Sequence, residues 1–504
     1  MSTAGRFRAA WRGGPLADRN FRLLTVGQFT STVGDFCYAV ALPWLVLSTH
    51  GGPVLLGTVL ACYGVPRTVG IPIGGILADK LRPRTIMLTA DMVRCVLVAV
   101  LAVFAARHIA SLAVLGPVAA LLGAGEGLFI PASFTIMPAL LGPDRLQAGN
   151  ALNSAAVQFG SLLGPALGGV LVATAGSSPA FAVDAASFAV SALALALIVP
   201  RARAILGAAD ARTAEAGHNA AEAGTAEAGL NAAEAGTAEA GAAGPATPGT
   251  RDTPAGTGEP ATPGTRDTPA TTGTEPGKTE AEQGKSPGVW QLLRHSRLLQ
   301  ALMVVTVVAN FTSAGTFEVA LPTLAHLRFG ATGYGALVAC FGGGAVIGTL
   351  AAVKAGRLRR PAPVACVAFL VSAAGISLVP FLGGLPGAAA ATLVFGACTG
   401  FGNIVMITLL QQWAPAALLG RIMGVVMLAS MGTFPVSVAL SGVLVRSLGP
   451  TPFFPVAGAA LAIAILGALT QREIRDFGTD TALPAKPAPA AESPAQDESA
   501  AKQA

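Results

Sequence analysis

Gly74-Gly75-Ile76-Leu77-Ala78-Asp79-Lys80-Leu81-Arg82-Pro83-Arg84 is a compact charged turn between two apolar segments, each long enough to cross a bilayer. Such a turn reads as a hairpin between two membrane helices, and its basic residues place it on the cytoplasmic side. Composition widens this local reading to the whole chain. With 53% hydrophobic and 12% charged residues among 504, and a mean hydropathy of +0.63, an ordinary soluble globule is excluded and a bilayer is the expected solvent.

Apolar runs of spanning length recur at about 22–48, 54–78, 85–106, 112–138, 153–175, 179–199, 298–326, 331–353, 362–382, 386–412, 422–446 and 451–470. They predict an all-α membrane protein with twelve transmembrane helices in two pseudo-symmetric six-helix bundles. The expected parts are an N-terminal cytoplasmic segment (1–21), an N-terminal bundle (22–199), a disordered cytoplasmic linker (200–288), a C-terminal bundle (289–475) and a disordered tail (476–504). The first span follows arginines without a small-residue cleavage site, so it reads as a retained helix. The linker consists of Thr-Ala-Glu-Ala-Gly repeats from Thr213, Thr225 and Thr237 and Pro-Ala-Thr-Pro-Gly repeats from Pro245 and Pro260, a composition that buries no core.

Basic residues sort by membrane side and not into one patch, which argues against nucleic acid despite a net charge of +6. Arg6, Arg8, Arg12, Arg19 and Arg22 precede helix 1, and Lys354, Arg357, Arg359 and Arg360 follow helix 8. Together with Arg145, Arg421, Arg472 and Arg475 they put both termini in the cytoplasm. The six cysteines lie inside spans with no C-x-x-C and no histidine cluster, so no metal site and no cofactor is expected.

The two halves repeat. Ala41-Leu42-Pro43 is matched by Ala320-Leu321-Pro322, and about fourteen residues later Gly57-Thr58-Val59-Leu60-Ala61-Cys62-Tyr63-Gly64 is matched by Gly335-Ala336-Leu337-Val338-Ala339-Cys340-Phe341-Gly342. Helix 5 carries Gly160-Ser161-Leu162-Leu163-Gly164-Pro165-Ala166-Leu167-Gly168-Gly169. Gly160, Gly164 and Gly168 share one smooth face open to a close helix approach, and Pro165 removes a backbone donor.

The charged turn, with Gly75, Asp79, Lys80 and Arg84 in a G-x-x-x-D-[KR]-x-x-x-R pattern, resembles the signature loop of the major facilitator superfamily. It departs from the family's usual Gly and basic residue at Arg82 and Pro83. The helix 5 string resembles the antiporter motif of that family's drug exporters, with Ala151 where an upstream glycine is usual. The resemblance covers 1–199 and 289–475 and extends to the twelve-helix branch that includes siderophore and multidrug exporters. It implies a transport-cycle lock centred on Asp79, with Asp91, Arg94 and Arg145 as neighbours in that lock.

Charges at membrane depth need a reason to be there, because an unpaired one costs about 2.5–3.5 kcal/mol on insertion scales. Asp35, Arg67 and Glu126 lie midway along helices 1, 2 and 4, and Glu318 lies in helix 7. The resemblance puts helices 1, 4, 7 and 10 around a central cavity, making these four the expected proton-coupling and cavity residues. Arg67 is expected to pair with Asp35, which leaves Glu126, with no base in its own helix, as the proton carrier. Asp184 is expected to be an interfacial group near the outer end of helix 6. Phe36, Tyr38, Trp44, Phe129, Phe317 and Trp413 are candidate wall residues.

The function these features predict is proton-coupled export of amphipathic organic small molecules by a monomer in the cell membrane, its partners being lipid, substrate and protons. Alternatives are a narrow siderophore or natural-product exporter, a lipid carrier, and a transport-inactive membrane sensor on the same scaffold. No nucleophile–base pair, metal set or phosphate-binding loop supports an enzyme.

Overall fold

A computed structural model describes residues 15–49, 51–141, 143–199, 294, 296–352, 360–414 and 416–475. The expected linker and tail, the loop containing Lys354, Arg357 and Arg359, residues 1–14, and the side chain of Asp79 lie outside the described residues.

Among the described residues twelve helices are long and apolar enough to cross a membrane. In the N-terminal half they are α1 (Arg19–Ser48), α2 (Gly52–Lys80), α3 (Pro83–Ala106), α4 (Leu112–Leu140), α5 (Pro143–Ala175) and α6 (Ser177–Leu197). In the C-terminal half they are α7 (Arg297–Arg328), α8 (Gly330–Ala352), α9 (Pro361–Leu378) and α10 (Gly384–Trp413), followed by α11 and α12. Helix α11 runs over Ala416–Gly432 and Phe434–Leu448, and α12 is Pro450–Leu469. A single turn, α13 (Arg472–Arg475), follows. The chain is a multi-pass membrane protein, and the spans expected from apolar runs agree with these helices to within a few residues, apart from an earlier start of α5. Proline at the first turn begins α3 and α9, where its missing N–H has no acceptor to lose.

Counting spans puts the start of α1 and the end of α12 on one face, here the terminal face. The largest buried apolar cluster lies toward the opposite, far face and joins the halves, with Val40, Leu45, Leu56, Leu321, Leu324 and Val438 among its members. Two smaller clusters nearer the terminal face each stay within one half, one around Met87 and Ile136, the other around Phe369 and Ile465.

The seam between the halves is built on glycine. A β-carbon on Gly57 of α2 would lie 2.4 Å from the Val438 carbonyl oxygen of α11, and one on Gly335 of α8 would lie 2.4 Å from the Pro165 carbonyl oxygen of α5. Gly57 and Gly335 head the two repeated segments, so the repeat marks two equivalent crossings. Both lie on the far side of the bilayer midplane. Trp44 of α1 meets His326 of α7 edge-on at 4.7 Å in the same half. The halves are therefore sealed toward the far face.

The expected glycine face of α5 is directed within its own half. β-Carbons on Gly160, Gly164 and Gly168 would strike Thr32, Phe36 and Cys37 of α1 at 2.8, 2.5 and 2.9 Å, whereas one on Gly169 would meet Ala331 and Gly335 across the seam at 3.0 Å. In the charged turn it is Gly74 that packs, 2.8 Å from Leu128 Cα by the same construction, while Gly75 meets nothing.

Candidate functional site

Helix α7 widens to a π turn over Thr316–Ala320. Pro322 has no N–H to give the Glu318 carbonyl four residues back, and Leu321 N–H reaches five residues back to Thr316. Glu318 rides on this turn and is brought to the wall of a central cavity. Phe317 beside it packs on Phe341 and Phe395, with centroids 4.2 and 5.3 Å away.

The cavity has a volume of about 510 Å³. Its wall takes Asp35, Phe36 and Tyr38 from α1, Tyr63 and Arg67 from α2, Arg94 from α3, Glu126 from α4, Asp184 and Phe188 from α6, Glu318 from α7 and Phe434 from α11. Four carboxylates and two guanidiniums therefore share one space at membrane depth. A second cavity of about 200 Å³ inside the C-terminal half, lined by Asn310, Phe369 and Met406 among others, has no charged wall residue among those described.

The ion pairing differs from expectation. Arg67 Nη2 lies 3.0 Å from Glu126 Oε1, the two side chains being 21% and 26% exposed. The expected Arg67–Asp35 pair is not formed, and Glu126 is not the unpaired acid. The reason is the α2–α4 crossing: Gly70 and Gly74 face Gly127 and Leu128, and a β-carbon on Gly123 would lie 2.0 Å from the Tyr63 carbonyl oxygen. Backbones this close set Arg67 against α4. Among the described residues Asp35, Asp184 and Glu318 form no ion pair.

Asp91 and Arg94 are also placed differently from a loop-lock pair. Asp91 is fully buried, accepts a hydrogen bond from Arg94 Nη2, and accepts another from Ser191 Oγ of α6 at 2.6 Å. The Arg94 guanidinium sits 4.5 Å from the ring centroids of both Phe129 and Phe188. These contacts hold the pair inside the bundle, above the turn. Asp184 is 1% exposed and lines the cavity, so it is not interfacial.

At the turn itself, Lys80 and Arg145 are exposed. Arg84 caps the end of α6, its Nε donating to the Leu195 carbonyl at 2.7 Å and its Nη2 to the Ala196 carbonyl at 2.6 Å. Cationic donors complement the unpaired carbonyls of a helix C-terminus. Of the other wall candidates, Trp413 belongs to an apolar cluster of the C-terminal half.

The family model described as Major Facilitator Superfamily matches residues 24–433. The multidrug efflux pump Tap of Mycolicibacterium fortuitum is 32% identical over 199 residues, which is 37% of this chain and 45% of that one. The enterobactin exporter EntS of Salmonella paratyphi A is 28% identical over 185 residues, 36% of this chain and 44% of that one. The chain thus spans less than half the length of these curated relatives. A crystal structure of a D-xylose-proton symporter shares the fold, with a TM-score of 0.59 at 13% identity over 88% of this chain and 96% of that one.

Proposed function

The chain belongs to the Major Facilitator Superfamily, and on that premise we propose that it exports amphipathic organic small molecules in exchange for protons by alternating access. The observation that carries this reading is a cavity in which aromatic and ionisable side chains from both halves meet, with the two glycine crossings closing the halves toward the far face. Ionisable groups at membrane depth are costly and mark substrate or proton paths. Positive residues on the terminal face make that face cytoplasmic, with both termini inside the cell. The protein works as a monomer in the cell membrane, and a cavity closed on the outside is the state that loads an exported substrate. The names of the similar proteins, a multidrug efflux pump and a siderophore exporter, support export over uptake.

The Arg67–Glu126 pair gives proton coupling a physical form. A proton on Glu126 cancels its charge and releases Arg67, which can then turn to Glu318 on the same wall. Substrate and proton thereby compete for one set of charges. The excess of carboxylates over guanidiniums suits cationic or neutral amphipathic compounds. A narrow siderophore exporter is the second reading, favoured by the likeness to the enterobactin exporter.

Export is tested with ethidium, an amphipathic organic cation, in cells carrying or lacking the protein, before and after collapse of the proton gradient. Lower ethidium accumulation that disappears with the gradient is expected. Equal accumulation in both cell types, or a difference that survives collapse, overturns the reading.

A further inference from the structure

The N-terminal half holds a second group of charges that the Arg67–Glu126 pair leaves unused. Asp184 is 1% exposed yet reaches the cavity wall from α6. Its position depends on a missing side chain on α1: a β-carbon on Gly34 would fall 2.5 Å from Asp184 Oδ1 and 2.1 Å from Ser187 Oγ. The residue after Gly34 is Asp35, on the same wall. The α1–α6 crossing therefore brings Asp184 against the α1 backbone one residue from Asp35, and both carboxylates line the one cavity. Ser187 Oγ gives its one proton to the Asp184 carbonyl at 2.7 Å and has only a longer, 3.3 Å approach to Oδ1, so it does little to satisfy the carboxylate.

The third member is Arg94, 5% exposed and lining the same cavity. One of its nitrogens is bound to Asp91, while its Nε has no hydrogen-bond partner. A buried guanidinium N–H without an acceptor is unfavourable by roughly 1–3 kcal/mol or more. An unused donor and two carboxylates without ion pairs thus line one cavity. α6 is not among the helices expected to surround it, and the expectation for Asp184 is an interfacial place, not a cavity one.

We propose that Asp35 and Asp184 form a second proton-binding site of the N-terminal half, with Arg94 as a counter-charge shared between Asp91 and this pair. The proposal rests on the proton-exchange reading above and adds a proton to it. One carboxylate takes a proton from hydronium in the cavity water, the donor's O–H bond breaking as the carboxyl O–H bond forms, and the negative charge of the pair falls by one. The proton returns to water when the cavity opens to the other face. Gly34 and Arg94 are positioning residues. The groups facing the pair are Cys37 and Tyr38 of α1, Arg67 of α2, Asp91, Arg94 and Cys95 of α3, Glu126 of α4 and Glu318 of α7. Helix α5 has no titratable residue beyond its first turn.

The test is infrared pH-difference spectroscopy of the purified full-length protein, without substrate or gradient, in the carboxylic-acid C=O stretching region. Asp184→Asn and Asp35→Asn should each remove one band and move the titration midpoint of the remaining partner by about one pH unit or more, as coupled sites do. Glu126→Gln should leave both bands. Gly34→Ala and Asp184→Glu retain both carboxyls and should move the midpoints without losing a band, which covers the case in which an asparagine variant does not fold. Asp184→Asn spectra that superpose on wild type throughout the titration, or unmoved midpoints in Gly34→Ala, overturn the proposal. Gradient-independent ethidium export would instead overturn the exchange reading, which this measurement does not touch.

Discussion

Gly335→Ala probes the far-face seam most directly. The added carbon would lie 2.4 Å from the Pro165 carbonyl oxygen, 2.9 Å from Gly169 Cα and 3.2 Å from Gly169 N, all backbone atoms that no rotamer change can move away. Overpacking of this kind costs roughly 1–3 kcal/mol. The cost falls only on the state in which α5 and α8 are in contact, so the equilibrium shifts toward the far-face-open state by roughly 5- to 150-fold. A reporter sits at the other crossing: Val438 is 0% exposed and faces Gly57. With the native cysteines replaced and Val438→Cys introduced, a water-soluble maleimide should label the Gly335→Ala protein faster by that factor, because rigid halves part at both crossings together. Gly168→Ala is the control, since its added carbon meets Cys37 Cα at 2.9 Å inside the N-terminal half. It should lower thermal stability and leave labelling unchanged. Labelling of folded Gly335→Ala at the wild-type rate refutes the reasoning.

Further outcomes follow from other contacts. Glu126→Gln removes the partner of Arg67; breaking a fully buried pair costs about 3–5 kcal/mol, and partial exposure brings this to roughly 1–3. In proteoliposomes the variant should lose gradient-driven ethidium accumulation and keep downhill exchange, and uphill transport at the wild-type rate would remove Glu126 from coupling. Arg84→Ala forfeits two charge-assisted bonds to the end of α6, roughly 1–3 kcal/mol; a lowered thermal midpoint is expected, and an unchanged one shows that the cap contributes nothing. A cysteine placed between residues 200 and 288 should be shielded from a membrane-impermeant label in intact cells, and labelling there would contradict the assigned orientation.

How far the sequence carries depends on which dimension of the structure is asked for. Depth along each helix is written in hydropathy, which is why the twelve spans and the mid-helix depth of Asp35, Arg67 and Glu126 are legible. Azimuth relative to a neighbour is not, and pairing depends on it. Lying midway along adjacent spans points Arg67 to Asp35, but α2 packs on α4 through Gly70, Gly74, Gly123 and Gly127. Those two glycine pairs, each four residues apart, were the available signal for the crossing. Nearness to the outer end of α6 makes Asp184 look interfacial, yet seven residues into α6 is about 10 Å of helix at 1.5 Å per residue.

The repeat explains why mechanics was easier to read than chemistry. Aligning Ala41-Leu42-Pro43 with Ala320-Leu321-Pro322 sets Asp35 against Ala314 and Glu318 against Ala39, so the halves share the proline but not the acid. The later aligned segments share Gly57 and Gly335, and both are seam glycines. What the halves have in common therefore lies at the seam where they meet. What differs is the charge: α1 to α6 supply Asp35, Arg67, Arg94, Glu126 and Asp184 to the cavity, and the C-terminal half supplies Glu318 from a π turn. Under the proposed exchange, a proton bound in one half acts on the charge of the other through contacts that cross the cavity. Glu318 is the one charged cavity-wall residue among those described that the C-terminal half offers for such a contact, so on the proposed reading the release of Arg67 from Glu126 is the step by which a proton would be felt across the seam.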